Sequence, residues 1–178
     1  QTPDSLHKRF RLDVHVNTEV VEINRSAKEV TAVDLAKNSQ FKLSYDKLIL
    51  SPGAAPVRPP IPGIERAMSL RTVEDVFLMT DEVKKAPKSA AIIGGGFIGL
   101  ELAENFRHRG IKTAVIEATN QVMAPLDPEM VTFVHKELRN HGVVLELGNA
   151  LASIEASSVT LANGTEIDAD LVILAIGV

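Results

Sequence analysis

Apolar side chains fall at Val14, Val16, Val20, Val21 and Ile23, a near-alternating run whose phase slips at Val20-Val21. Alternation places successive side chains on opposite faces of an extended chain, so this run predicts a strand with an irregularity at the slip. Val30 to Leu35, Phe41 to Tyr45 and Leu48 to Leu50 predict further short strands. Asn24-Arg25-Ser26 and Lys37-Asn38-Ser39 supply the turn chemistry of an antiparallel meander. Residues 1–64 therefore read as β-rich. Their last part, Pro52 to Gly63, holds five of the nine prolines. Pro fixes φ and lacks an N–H, so neither a helix nor a central strand runs through it, and it reads as a linker.

Downstream the period changes. Thr72 stands as an N-cap before acidic Glu74 and Asp75, with Val73, Val76, Phe77 and Val83 as a helical stripe that Pro87 ends. Ala90 to Ile93 is a short apolar strand. Leu102, Ala103 and Phe106 line one face of a helix closed by Gly110, and Thr113 to Ile116 is a second strand, which completes a βαβ unit. A helix after Pro128, with Met130, Val131, Val134 and Leu138 on one face, stops at Gly142 and leads into strand Val143 to Leu147. Ser153 to Ile167 reads as a hairpin turning at Asn163-Gly164, before a final apolar strand from Leu171. The fold class expected is α/β: a Rossmann-like βαβ nucleotide-binding domain with a β-meander, preceded by an antiparallel β-rich segment.

Composition narrows the chemistry. The chain has 178 residues, enough for one domain or one and a fraction, with an ordinary globular balance of 45% hydrophobic and 24% charged residues. A net charge of -4 gives no overall attraction to nucleic acid or to an anionic membrane, and no stretch approaches the roughly 18 apolar residues of a membrane span. No nucleic-acid or membrane partner is expected. Zero Cys excludes disulfides, thiolate metal sites and a thiol nucleophile, and agrees with a reducing, cytoplasmic compartment. The five His, including His108, His135 and His141, show no metal spacing and read as surface or satisfied residues, so no metal site is expected. With no signal peptide at Gln1 and an uncapped apolar strand at Val178, the chain reads as a piece of a longer protein.

The strongest chemical signal is Gly94-Gly95-Gly96-Phe97-Ile98-Gly99, a GxGxxG between the strand ending at Ile93 and the helix starting near Phe97. Gly94 allows the tight turn, Gly96 lets backbone amides approach a pyrophosphate, and Gly99 lets helix and strand pack closely, while the helix N-terminus aims unpaired donors at the phosphates. Ile98 lies within this phosphate-facing turn. Glu117 ends the second strand 117 − 99 = 18 residues past the last glycine, near the roughly 20 at which an acidic residue takes the adenosine ribose. Its charge repels a 2′-phosphate, and Ala118-Thr119-Asn120-Gln121 offer no cation for one, so NADH is expected over NADPH. The bland alternative is a plain glycine turn with Glu117 as a solvated strand end.

The run AAIIGGGFIGLELAEN, preceded by SLRTVEDV and the Pro-rich linker and followed by GTEIDADLVILAIGV, resembles the FAD-dependent pyridine nucleotide-disulfide oxidoreductases. The likeness is to the branch of coenzyme A-disulfide and persulfide reductases, NADH oxidases and NADH peroxidases, and spans nearly the whole chain. It implies that residues 1–64 are a partial FAD-domain segment with the exit linker YDKLILSPGAAPVRPPIPG, and that residues 69–178 are most of an NADH-binding domain. It places Val20 against the flavin adenine, and Ser51, Gly53 and Ala54 near its pyrophosphate and ribose. Phe97 takes the place of a Tyr that gates the nicotinamide in many members, keeping the ring and losing the hydroxyl. Glu101 matches an acidic residue that pairs with a Lys beside the flavin, a Lys not identifiable here, and Gly177 matches a glycine lining the nicotinamide. The alternatives are that Phe97 is ordinary core, Glu101 a solvated helix face and Gly53 merely a bend.

The resemblance also implies what the chain lacks. The first FAD-holding glycine motif and the redox Cys would lie upstream, and a C-terminal dimerisation domain downstream. The expected parent is thus a homodimeric enzyme passing hydride from NADH to FAD and on to a small-molecule disulfide, persulfide or peroxide. The chain alone is expected to be inactive and not to retain FAD. The rival readings are an NADH-sensing regulatory module without catalysis and a flavin-free dehydrogenase.

Overall fold

A computed structural model describes residues 2–178. The chain divides into two compact units, one ending at Gly53 and the other running from Ala54 to Val178. The part of the Pro-rich linker from Ala54 onward thus packs with the second unit, whereas the sequence reading grouped it with the first. Arg58 explains part of this attachment, because its guanidinium donates to the carbonyls of Ile64 (3.1 Å) and Ala67 (2.9 Å).

The first unit opens with a helix that the β-rich reading missed, α1 (Pro3–Phe10). Thr2 caps it, exchanging side-chain bonds with Ser5, while Pro3 at the first helical position needs no hydrogen-bond partner. Strands β1 (Thr18–Asn24), β2 (Glu29–Asp34) and β3 (Ser39–Ser44) then form the expected antiparallel meander in the order β1-β2-β3. The phase slip at Val20-Val21 is a bulge: Val20 pairs with Ala32 and Glu22 with Thr31, which leaves Val21 unmatched. Val14 and Val16 lie outside the strand because Asn17 turns the chain with φ 50°. Leu48 to Leu50 is no strand, since nothing among the described residues forms a ladder with it. The turns close as expected, with Asn24 accepting the Ala27 amide and Asp34 those of Ala36 and Lys37.

The second unit has three layers. Its centre is a five-stranded parallel sheet, order β4-β11-β5-β6-β7, formed by β4 (Met68–Ser69), β5 (Ser89–Ile93), β6 (Lys112–Glu117), β7 (Val144–Leu147) and β11 (Leu171–Leu174). One face is covered by helices α2 (Val73–Lys84), α3 (Phe97–His108) and α4 (Pro128–Asn140), packed against Ile92, Val115, Leu171 and Ile173. The other face, with Ala91, Ile93, Ile116, Val172 and Leu174, is covered by an antiparallel layer of β8 (Leu151–Ile154), β9 (Ser158–Leu161) and β10 (Glu166–Asp168). Burial on both sides accounts for the unbroken apolar runs of these central strands. The segment read as one hairpin from Ser153 is therefore three strands, with the Asn163-Gly164 turn joining only β9 and β10. Neither β4 nor the 3-10 turn Ile64–Arg66 was anticipated.

Two helix faces differ from the expected stripes. In α2, Val73, Val76 and Phe77 point to solvent while Met79 and the half-buried Val83, one turn apart, face the sheet. In α4, Val131, Val134 and Leu138 pack inward but Met130 is exposed.

Asp170 fastens the start of β11 to the start of β5. Its carboxylate accepts the amides of Lys88 (2.7 Å) and Ser89 (3.1 Å), and Ser89 Oγ accepts the Asp170 amide. The Lys88 amide above all holds this carboxyl below the usual carboxylate range. A lowered folded pKa means stability that is present at neutral pH and lost as pH falls through that value. Asp170→Ala is expected to remove about 1 kcal/mol at pH 7, a modest value because the site is solvent-exposed. The deficit should shrink as pH falls through the acid range in which the carboxyl takes up its proton; a denaturant midpoint matching the unmodified protein at pH 7 would remove this role.

Candidate functional site: a glycine loop at the ends of the parallel strands

The glycine loop leaves β5 where β6 and β11 also end. Gly94 donates its N–H to the Ile116 carbonyl (2.8 Å) and adopts φ 108°, a conformation L side chains rarely take. A β-carbon there would stand 2.5 Å from the Ala175 carbonyl oxygen. At Gly99 a β-carbon would overlap the Gly94 carbonyl oxygen, which is the close helix-strand packing anticipated from the motif. Gly96, the N-cap of α3, differs: a β-carbon would meet nothing within 4 Å, so its bare face opens onto free space. No side chain caps α3, and its first turn carries no acidic residue. The amides of that turn therefore point, with the positive end of the helix dipole, at a cradle that a side chain would fill.

Glu117 is half-buried and bound into this loop. Its Oε2 accepts the Gly95 amide (2.8 Å), and its Oε1 accepts the Thr119 amide (2.8 Å) and hydroxyl (2.9 Å). Partial burial pushes the carboxyl up, but the Thr119 and Gly95 amides and the Thr119 hydroxyl outweigh it and hold it below the usual range. The carboxylate is thus charged at neutral pH.

Several members of the site escaped the sequence reading. A β-carbon on Gly95 would stand 2.7 Å from Val122 Cγ1, and Gly95 O accepts the Met123 amide (2.8 Å), so the segment after β6 clasps the loop. Val122 is held in turn by His135 of α4, whose Nε2 accepts its amide (3.2 Å). Burial, then nearby Arg139, lowers the His135 pKa and keeps the ring neutral for that role. Arg71, quoted in the sequence only as part of SLRTVEDV, borders the cleft beside Gly96.

Two clefts adjoin the loop. One, of about 220 Å³, is bordered by Ile93, Gly94, Ile116, Glu117, Ala118 and Asn149. The other, of about 350 Å³, brings together Arg71, Gly96, Phe97, Ile98 and Gly177. Gly177, at φ 98°, returns its carbonyl to the Val57 amide (3.0 Å). Phe97 borders this cleft and is 67% exposed within this chain. Glu101, one turn on, is exposed and lines a separate groove of about 540 Å³ between α3 and α4 that Phe97 also borders.

Residues 4–178 match the sequence pattern described as pyridine nucleotide-disulphide oxidoreductase. The chain belongs to that family. It is 32% identical to an NADH oxidase of Methanocaldococcus jannaschii, over 99% of this chain and 41% of the relative. Among solved structures it superposes on reduced Bacillus anthracis CoADR-RHD with TM-score 0.94 and 44% identity, over 99% of this chain and 33% of that one. A NAD-dependent persulfide reductase from A. fulgidus gives 0.92 and 34%, over 99% and 34%. The chain thus spans about two fifths or less of these relatives. A further solved relative, named as an FAD-dependent pyridine nucleotide-disulphide oxidoreductase from Desulfovibrio vulgaris, superposes with TM-score 0.76 and 30% identity, over 93% of this chain and 44% of that one. Of the residues assigned by resemblance to FAD, Val20 lies exposed on β1 beside the bulge, Ser51 and Gly53 occupy an exposed irregular segment with Gly53 at φ 72°, and Ala54 begins the second unit. No helix is long and apolar enough to cross a membrane among the described residues.

Proposed function

We propose that this chain is the NADH-binding part of a flavoprotein that passes reducing equivalents from NADH through FAD to a small-molecule disulfide, persulfide or peroxide. The observation that carries the reading is the pairing of an open cradle at Gly96 with a charged, oriented carboxylate at Glu117. The cradle fits a pyrophosphate, because its donors are backbone amides that a β-carbon would screen. The carboxylate fits ribose hydroxyls, and no Lys or Arg follows it through Gln121 to neutralise a 2′-phosphate. When bound, NADH would supply a hydride to an FAD held mainly by segments outside this chain.

Within the chain, Gly94, Gly96, Ile98 and Gly99 hold and shape the phosphate turn, and Glu117 fixes the adenosine sugar. Phe97 and Gly177 border the cleft on the nicotinamide side, where the exposed ring covers the reacting face until the ligand displaces it. Val20, Ser51, Gly53 and Ala54 belong to the FAD side, and Glu101 to an ion pair near the flavin. The redox Cys and the first FAD glycine motif come from elsewhere in a cytoplasmic homodimer, so the chain alone neither retains FAD nor turns over.

Anaerobic addition of NADH to the full-length protein tests the proposal by absorption. A yellow flavin that bleaches on mixing is the expected result. A colourless protein, or a flavin that NADH leaves oxidised while titration calorimetry still records NADH binding, would instead favour a nucleotide sensor.

A further inference from the structure

The turn after β7 carries a polar group that none of these roles uses. Gly148, at φ 67°, reverses the chain and brings Asn149 back against the end of β6, where its amide donates to the Glu117 carbonyl (3.2 Å). Asn149 is only 8% exposed. Its Oδ1 accepts the Asn163 amide (3.3 Å), while its Nδ2 has no hydrogen-bond partner among the described residues. Flipping the amide would set NH₂ against the Asn163 N–H, donor against donor, so the bond from Asn163 fixes the orientation and the orphan is a donor. A buried donor without an acceptor is destabilising and rare in folded proteins.

Asn149 also lines the 220 Å³ cleft that holds Glu117. The remaining wall is largely apolar, from Pro59, Ile93, Ile116, Ala150, Leu151 and Ile176. Apolar walls with one donor and one carboxylate suit a flat heteroaromatic ring joined to a sugar. The terminal torsion of Asn is soft and the bond from Asn163 is long, so the side-chain amide, enclosed in this structure, can rotate at small cost to meet an occupant.

We propose that Asn149 is a specificity-determining residue for the adenine end of the dinucleotide, its Nδ2 donating to a ring-nitrogen acceptor of the base. The inference rests on the NADH reading above and deepens it from the sugar to the base. Sugar and base would then be held by neighbouring strand ends, Glu117 closing β6 and Asn149 following β7.

The test is calorimetric titration of the full-length protein with AMP and with its 1-deaza, 3-deaza and 7-deaza analogues, each lacking one ring acceptor. One of the three should bind about tenfold more weakly than AMP, the effect of leaving one buried donor unpaired. Asn149→Asp keeps the oxygen that Asn163 uses and replaces only the donor. It should weaken AMP by a similar factor and that one analogue no further. Equal binding of all three analogues to the unmodified protein overturns the proposal without any variant. So does an Asn149→Asp loss that is the same for AMP and every analogue, which would be charge repulsion alone. If neither AMP nor NADH binds the unmodified protein, the NADH reading itself fails, an outcome distinct from an Asn149 that does not discriminate.

Discussion

Gly94→Ala should unfold or cripple the proposed nucleotide site, because there a clash with rigid backbone coincides with a positive φ. The new β-carbon would stand 2.5 Å from the Ala175 oxygen and 2.7 Å from its carbonyl carbon, both rigid backbone atoms at the end of β11. At φ 108° the alanine is also strained whatever space it is given. Strain of about 1–3 kcal/mol and a clash of similar size together remove ~3 kcal/mol. That is a large share of the roughly 5–15 kcal/mol by which domains are stable. The expected measurement is a lower urea midpoint with the slope retained, together with NADH binding too weak for calorimetry. An unchanged midpoint would show that β11 gives way easily and that the turn does not depend on glycine.

Replacing Glu117 should change which coenzyme is bound. In Glu117→Ala the ribose hydroxyls lose their acceptor, and the Gly95 amide and Thr119 lose the group that joins them. NADH affinity is expected to fall about tenfold or more, the ~1.4 kcal/mol of one charge-assisted bond as a minimum. NADPH should lose nothing, because the same change removes a charge that repelled it. Adding Ala118→Arg supplies a cation beside the freed space, and the double variant should prefer NADPH. Competition titrations with both nucleotides read this directly. An unmodified protein that binds the two equally rules out the role given to Glu117.

What could be read from the chain beforehand depended on whether the backbone or the neighbours carry the information. The glycine turn between β5 and α3 was legible because Gly94 and Gly99 answer backbone requirements at fixed points of the motif, and the position of Glu117 was legible because it ends β6. The phase slip at Val20-Val21 likewise encodes its own bulge. Helix α1 was missed because its apolar stripe is a single i, i+4 pair, Leu6 and Phe10, too short to stand out, although Thr2-Pro3-Asp4 carries the capping signal. In α2 the sequence offers two stripes, and only packing against the sheet selects Met79 and Val83 over Val73, Val76 and Phe77. Gly95 could not be told from a filler position, since its need for glycine comes from Val122, 27 residues downstream by the arithmetic 122 − 95. Asn149 lies in an irregular turn, where no periodicity marks a side chain as inward.

The empty space above Gly96 separates two properties that usually travel together. Its neighbours Gly94, Gly95 and Gly99 are required by the fold, so errors there announce themselves as insoluble or labile protein. An alanine at 96, with φ −80° and nothing to strike, would not. Any library of this chain sorted for expression or heat resistance would therefore let that change through, and would return well-behaved molecules in which the seat proposed for the phosphates had been quietly filled.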